Sequence, residues 1–126
     1  MDQRIGIVHD FCAAWTEGVS AAELAGFFAD DGVYHNMPLA PVVGRAAIEA
    51  DLARILGAYS SISIRVLHTA VDDTVVLTER VDDFVLGNRT LELPVMGACE
   101  VRGDKIAAWR DYFDAATWRA FMAEAA

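Results

Sequence analysis

Lysine is almost absent from this chain: Lys105 is the only one in 126 residues, and 19 acidic against 10 basic side chains leave a net charge of -9. Nucleic-acid binding needs clustered Lys and Arg to neutralise phosphates, so this balance argues against it, and against anionic membranes and anionic substrates. No run approaches the ~20 consecutive apolar residues that span a bilayer. The opening MDQRIGIVHDFCAAW lacks a basic leader followed by an apolar core and a small-residue cleavage site. A cytoplasmic protein is expected.

Metal ligands and nucleophiles are equally scarce. His9, His35 and His68 lie far apart, with no H-x-x-x-H or H-x-H spacing, so no metal is expected. Cys12 and Cys99 are the only cysteines, each inside an apolar-periodic segment, and are expected to be buried reduced thiols. No glycine-rich phosphate loop follows a strand, and Ser60 and Ser61 lack a nucleophile elbow. Neither a cofactor nor a covalent intermediate is expected.

What the chain has in excess is apolar mass. With 55% hydrophobic residues in 126, it can form one domain over residues 1–126 and still have surplus for a lined cavity, a dimer face or both. Ile5, Val8, Phe11, Cys12 and Trp15 recur at helical spacing from Gln3 to Glu17, and Gly18 ends that stripe. Ser20 opens a capping box with Glu23, predicting a short second helix with Leu24, Phe27 and Phe28 on its buried side. Val33 to Met37 reads as a brief strand before a proline-containing segment, and Ile48, Leu52, Ile55 and Leu56 mark a third helix after Gly44.

The period then changes from near four to two. Strands are expected around 62–68, 74–86, 90–102 and 105–112, with turns at Asp72-Asp73, Gly87-Asn88 and Gly103-Asp104, and a last helix from about Ala115. Helices first and a meander afterwards spell an α+β fold, with helices packed on the concave face of a curved sheet and a conical hollow between them.

Polar pairs two positions apart punctuate these strands: Tyr34 and Asn36 in VYHNMP, Arg80 and Asp82 in VVLTERVDDFVL, and Asp111 between Trp109 and Phe113. Side chains at i and i+2 share a strand face, so each pair delivers its groups to one side. Both faces of 76–85 mix apolar and charged residues, so parity leaves open whether Arg80 and Asp82 form a solvated pair or line a core. Tyr34 and Asn36 suit either packing and turn chemistry or a role in holding water, while His35 points to the opposite face. An aspartate between two large aromatics is hard to place at a surface, and Arg80 is the cation that would offset its burial. An Arg between two carboxylates lets one hold a proton while the other stays a base, as acid and base catalysis at one site requires.

YHNMP, TERVD and WRDYFD, in this order and at these separations, resemble the limonene-1,2-epoxide hydrolase family, within the cone-shaped (cystatin-like) folds that include nuclear transport factor 2 and ketosteroid isomerase. The resemblance implies a homodimer with a mixed, curved sheet, and a one-step, cofactor-free addition of water to a small hydrophobic epoxide. Carried over by position, it implies Asp111 as general base, Tyr34 and Asn36 as the groups that hold the water with it, Asp82 as the acid and Arg80 as the bridge. Strand parity makes Phe84, Leu93, Val95 and Phe113 candidates for the substrate lining, with Met37 and Leu39 near the mouth. The homodimer is expected through the outer face of the sheet. Alternatives are a ketosteroid isomerase-like or polyketide cyclase-like proton-transfer enzyme, which has no use for a guanidinium between two aspartates, and a non-catalytic module of the same fold.

Overall fold

A computed structural model describes residues 2–125. In chain order it comprises α1 (Gln3–Glu17), α2 (Ala21–Ala25), β1 (Phe28–Asn36), β2 (Val42–Val43), α3 (Arg45–Ala58), β3 (Ser61–Val71), β4 (Val76–Leu86), β5 (Arg89–Arg102), β6 (Lys105–Tyr112) and α4 (Ala115–Ala125). The six strands make one open sheet in the order β2-β1-β6-β5-β4-β3. β1 runs parallel to β6, and every other neighbouring pair is antiparallel. The fold is α+β with a mixed sheet.

Local chemistry explains the helix ends. The Asp2 carboxylate accepts the Arg4 N–H at 2.9 Å at the start of α1, and Gly18 closes the helix at φ 76°, a left-handed conformation that glycine adopts without a Cβ clash. Ser20 Oγ accepts the Glu23 N–H at 3.1 Å. Glu23 completes the box through the Ser20 hydroxyl, 3.4 Å from its carboxylate, rather than through the backbone N–H. The stripe Val8, Phe11, Cys12 and Trp15 is buried, and with Leu24, Phe28, Ile48, Leu52, Ile106 and Trp109 it forms the main core between helices and sheet. A second cluster, Leu91, Leu93, Val95 and Phe121, seats α4 on β5. Cys12 and Cys99 are free and buried, and burial pushes both thiols up to about 12, so they pack as small hydrophobes.

Three boundaries differ from the sequence reading. Phe28 begins β1 instead of ending the second helix, because β1 starts earlier and absorbs Asp30, Asp31 and Gly32 in an irregularity between Phe28 and Val33. The segment after Pro41 contributes an edge strand, Val42–Val43, paired with Val33 and Tyr34. β3 continues to Val71, and Thr74 and Val75 belong to the turn, where the Asp72 carboxylate accepts both of their N–H groups.

Candidate active site

β4 settles the parity question. Val76, Thr78, Arg80 and Asp82 face inward and are buried, whereas the outward charges find partners on neighbouring strands. Arg65 on β3 pairs with Asp83 at 2.7 Å, and His68 Nδ1 lies 2.7 Å from Glu79. The inward face has one cation and draws its second carboxylate from another strand.

Arg80 is 1% exposed. Its Nε donates to Asp82 Oδ1 at 3.2 Å and its Nη2 to Asp82 Oδ2 at 2.9 Å, a bidentate contact along one strand face. On the other side Nη1 donates to Asp111 Oδ1 at 2.9 Å and to the Thr78 hydroxyl at 3.3 Å. The second Asp111 oxygen accepts the Trp109 indole N–H at 3.0 Å. Asp82 and Asp111 are each buried, so the guanidinium bridges two carboxylates withdrawn from water.

β1 supplies the remaining polar groups. In its parallel pairing with β6, Tyr34 stands opposite Trp109 and Asn36 opposite Asp111. Both residues line the same cavity as the two carboxylates. His35 points the other way, with Nε2 3.0 Å from the Leu39 carbonyl oxygen.

The charge balance has direct chemical consequences. Burial raises the Asp82 carboxyl above its ordinary value despite the opposing pull of Arg80, and the Asp111 charge adds to the rise. Burial also works against the Arg80 charge, but Asp111 and Asp82 more than offset it and hold the guanidinium protonated. Burial pushes the Tyr34 phenol well above its usual range, with the Asp111 charge adding and the Asn36 amide partly opposing, so it stays a neutral hydroxyl.

The cavity holds about 180 Å³. That is on the order of the ~150 Å³ apolar cavity known to take up a benzene. Of the residues that strand parity offers for the lining, Phe84, Leu93, Val95 and Phe113 all line it, and so does Leu39, expected near the mouth. Met37 does not: it is half-buried beyond the end of β1, and its N–H donates to the Asp111 carbonyl at 2.8 Å. Met37 follows Asn36, which lines the cavity, and side chains alternate along a strand, so its side chain falls on the other side.

Several residues of the site and its surroundings escape sequence reasoning. Tyr59 at the end of α3 and Trp118 on α4 meet over the cavity, the Trp118 indole N–H donating to the Tyr59 hydroxyl at 2.9 Å. Thr78 and Trp109 carry a signal in the sequence, since each lies two positions from a site residue on the same strand face. Gly97 carries a weaker one, a glycine inside a strand, which marks close approach of another group. Among the described residues no group of three or more His, Cys, Asp or Glu side chains is placed to hold a metal ion. No helix among them is long and apolar enough to cross a membrane.

An open, curved mixed sheet with helices packed on it and a polar constellation at the base of its hollow defines a cone of the ketosteroid isomerase-like and nuclear transport factor 2-like class. A protein with a ketosteroid isomerase-like fold from Catenulispora acidiphila DSM 44928, solved with trimethylamine, superposes with TM-score 0.78 at 25% identity, covering 86% of this chain and 85% of that one. The model of the limonene-1,2-epoxide hydrolase catalytic domain matches residues 3–123, and the chain belongs to that family.

Epoxide hydrolase EphG of Mycobacterium tuberculosis (strain ATCC 25618 / H37Rv) is 33% identical over 85 residues, 68% of this chain and 56% of that protein. The matched stretch thus spans little more than half the length of that relative. The structure of an M. tuberculosis LEH-like epoxide hydrolase superposes with TM-score 0.81 at 26% identity, covering 95% of this chain and 90% of that one.

Proposed function

We propose that this protein is an epoxide hydrolase that adds water to a small hydrophobic epoxide in one step, without a cofactor, giving a vicinal diol. The observation that carries this reading is Arg80 held between Asp82 and Asp111 at the base of an apolar cavity. Asp111 takes a proton from a water that Tyr34 and Asn36 hold with it, and Asp82 delivers a proton to the epoxide oxygen as the ring opens. Arg80 keeps the two carboxylates in opposite protonation states. Ring strain makes the electrophile reactive enough for positioned water, provided acid and base act together.

A proton-transfer isomerase of the same fold would need one carboxylate base and one neutral donor for the developing oxyanion. The guanidinium bridging two carboxylates favours the hydrolase. The cavity volume favours an epoxide about the size of a single ring or a short branched chain. Free thiols at Cys12 and Cys99 suit a reducing, cytoplasmic setting.

The outer sheet face supports a homodimer. Met96 and Tyr112, opposite each other on β5 and β6, are 51% and 46% exposed, and Leu77 on β4 is 41% exposed. Exposed apolar side chains beside paired charges are covered most simply by a second copy of the same face.

The test is a panel of terpene, cyclic meso and aryl epoxides incubated with pure protein, with diols read by mass spectrometry. Turnover of at least one small epoxide, lost in Asp111→Asn, is expected. A panel converted no faster than by buffer would refute the reading.

A further inference from the structure

Asp82 and Asp111 are held differently. Both oxygens of Asp82 accept from Arg80 alone, through Nε and Nη2. The two oxygens of Asp111 are divided between residues: Oδ1 accepts from Arg80 Nη1 at 2.9 Å and Oδ2 from the Trp109 indole N–H at 3.0 Å. The side-chain amide or carboxyl torsion is broad and roughly two-fold, so a carboxylate held at one oxygen can swing about its Cβ–Cγ bond. A second donor on the other oxygen removes that freedom.

We propose that Trp109 is a positioning residue for Asp111: its indole N–H fixes the plane of the carboxylate at the cavity wall, so that the lone pairs left over remain aimed at the water. The inference rests on the base role assigned to Asp111.

Trp109 is itself tightly packed. It is 3% exposed, and its ring meets Phe11 edge-on at 4.7 Å between centroids. Phe11 in turn packs against Trp15, Phe27 and Phe28. β5 leaves room for Oδ1 at Gly97, where an added Cβ would lie 3.1 Å from that oxygen. The Arg80 guanidinium carbon lies 5.3 Å from the centre of the Trp109 ring, so one indole steadies the bridge with its face and the base with its edge. Tyr34, opposite Trp109 in the β1–β6 register, brings the water-holding phenol to the same place. Water activation is sensitive to such alignment, since a displacement of about 1 Å can cost on the order of 100-fold in rate.

The test replaces Trp109 with β-(3-benzothienyl)alanine, which keeps the bicyclic shape and puts sulfur where the N–H stood, beside Trp109→Phe as the genetically encoded variant. Loss of one hydrogen bond to an ionised carboxylate predicts that kcat falls about 10- to 100-fold while KM changes less than about two-fold. Unchanged thermal unfolding of the benzothienyl protein separates this from a packing defect. Wild-type kcat in the benzothienyl protein overturns the proposal.

A second readout does not depend on epoxide turnover. The Trp109 indole N–H proton resonance, identified by its loss in Trp109→Phe, is expected to be strongly downfield and to move upfield in Asp111→Ala. A resonance unmoved by Asp111→Ala overturns the proposal even if the protein hydrolyses epoxides. Should no epoxide be turned over, the same resonance still decides whether the indole holds the carboxylate, and the functional reading fails separately.

Discussion

Arg80 on β4 meets Asp111 on β6 at 2.9 Å although β5 runs between their strands. Two strand spacings put their backbones roughly 10 Å apart, and the guanidinium closes that gap by lying across Gly97. The register places Thr78, Gly97, Asp111 and Asn36 in one row across four strands, with glycine where the bridge must pass. A Cβ at this position would run into Arg80 Nη1 and come within 2.8 Å of Thr78 Oγ1.

Gly97→Ala should therefore disable the site while preserving the fold. Overpacking a well-filled interior costs about 1–3 kcal/mol, and displacing the bridge by about 1 Å should lower kcat on the order of 100-fold or more. Urea unfolding and steady-state kinetics measure the two separately. A fully active Gly97→Ala protein would show that the Arg80–Asp111 contact is dispensable.

Asp82→Asn and Asp111→Asn should each abolish turnover, because acid and base act in one transition state and neither replaces the other. Circular dichroism should remain that of the wild type. More than a tenth of the activity left in either variant would contradict the roles assigned.

Tyr34→Phe should lose less. Removing one of several hydrogen bonds that hold the water costs roughly 1.5–3 kcal/mol, or on the order of 10- to 100-fold in rate. The buried ring, edge-on to Phe28 at 6.1 Å, keeps its packing in the variant. Steady-state kcat on the preferred epoxide reads this out.

The pH dependence follows from Asp82, which burial holds above its ordinary value of 3.8. A raised carboxyl contributes stability fully below the unfolded-state value, and the contribution is lost as pH rises through the folded value. Asp82→Asn cannot ionise and lacks this loss. Melting temperatures compared from about pH 3 to 8 should thus shift against the wild type as pH rises. Activity carried by protonated Asp82 should fall over the same rise, and a difference in Tm that grows in favour of the wild type would contradict the burial argument.

Much of this was legible in the sequence because it is local. The bounds of α1 follow from one apolar stripe and a terminal glycine, and the hairpins from Gly87-Asn88 and Gly103-Asp104. Strand period alone puts Trp109, Asp111 and Phe113 on one face. The inward side of β4 was not legible, because both of its faces mix charge with apolar groups and only the cross-strand partners Arg65 and His68 decide between them. Phe28 suits a helix or a strand equally until β6 is beside it, and Val42–Val43 is a strand only because Val33 and Tyr34 pair with it. The role of Gly97 depends on the Arg80 side chain that crosses it from another strand, so no window of sequence contains it.

In the proposed reaction water, activated by Asp111, attacks the epoxide carbon directly. A single turnover with enzyme in excess over epoxide, run in heavy-oxygen water, tests it at the reacting atoms. Direct attack places one heavy oxygen in the diol on the first turnover. An aspartyl ester hydrolysed at its acyl carbon would instead pass the carboxylate's own oxygen to the diol, so unlabelled first-turnover product would contradict the mechanism.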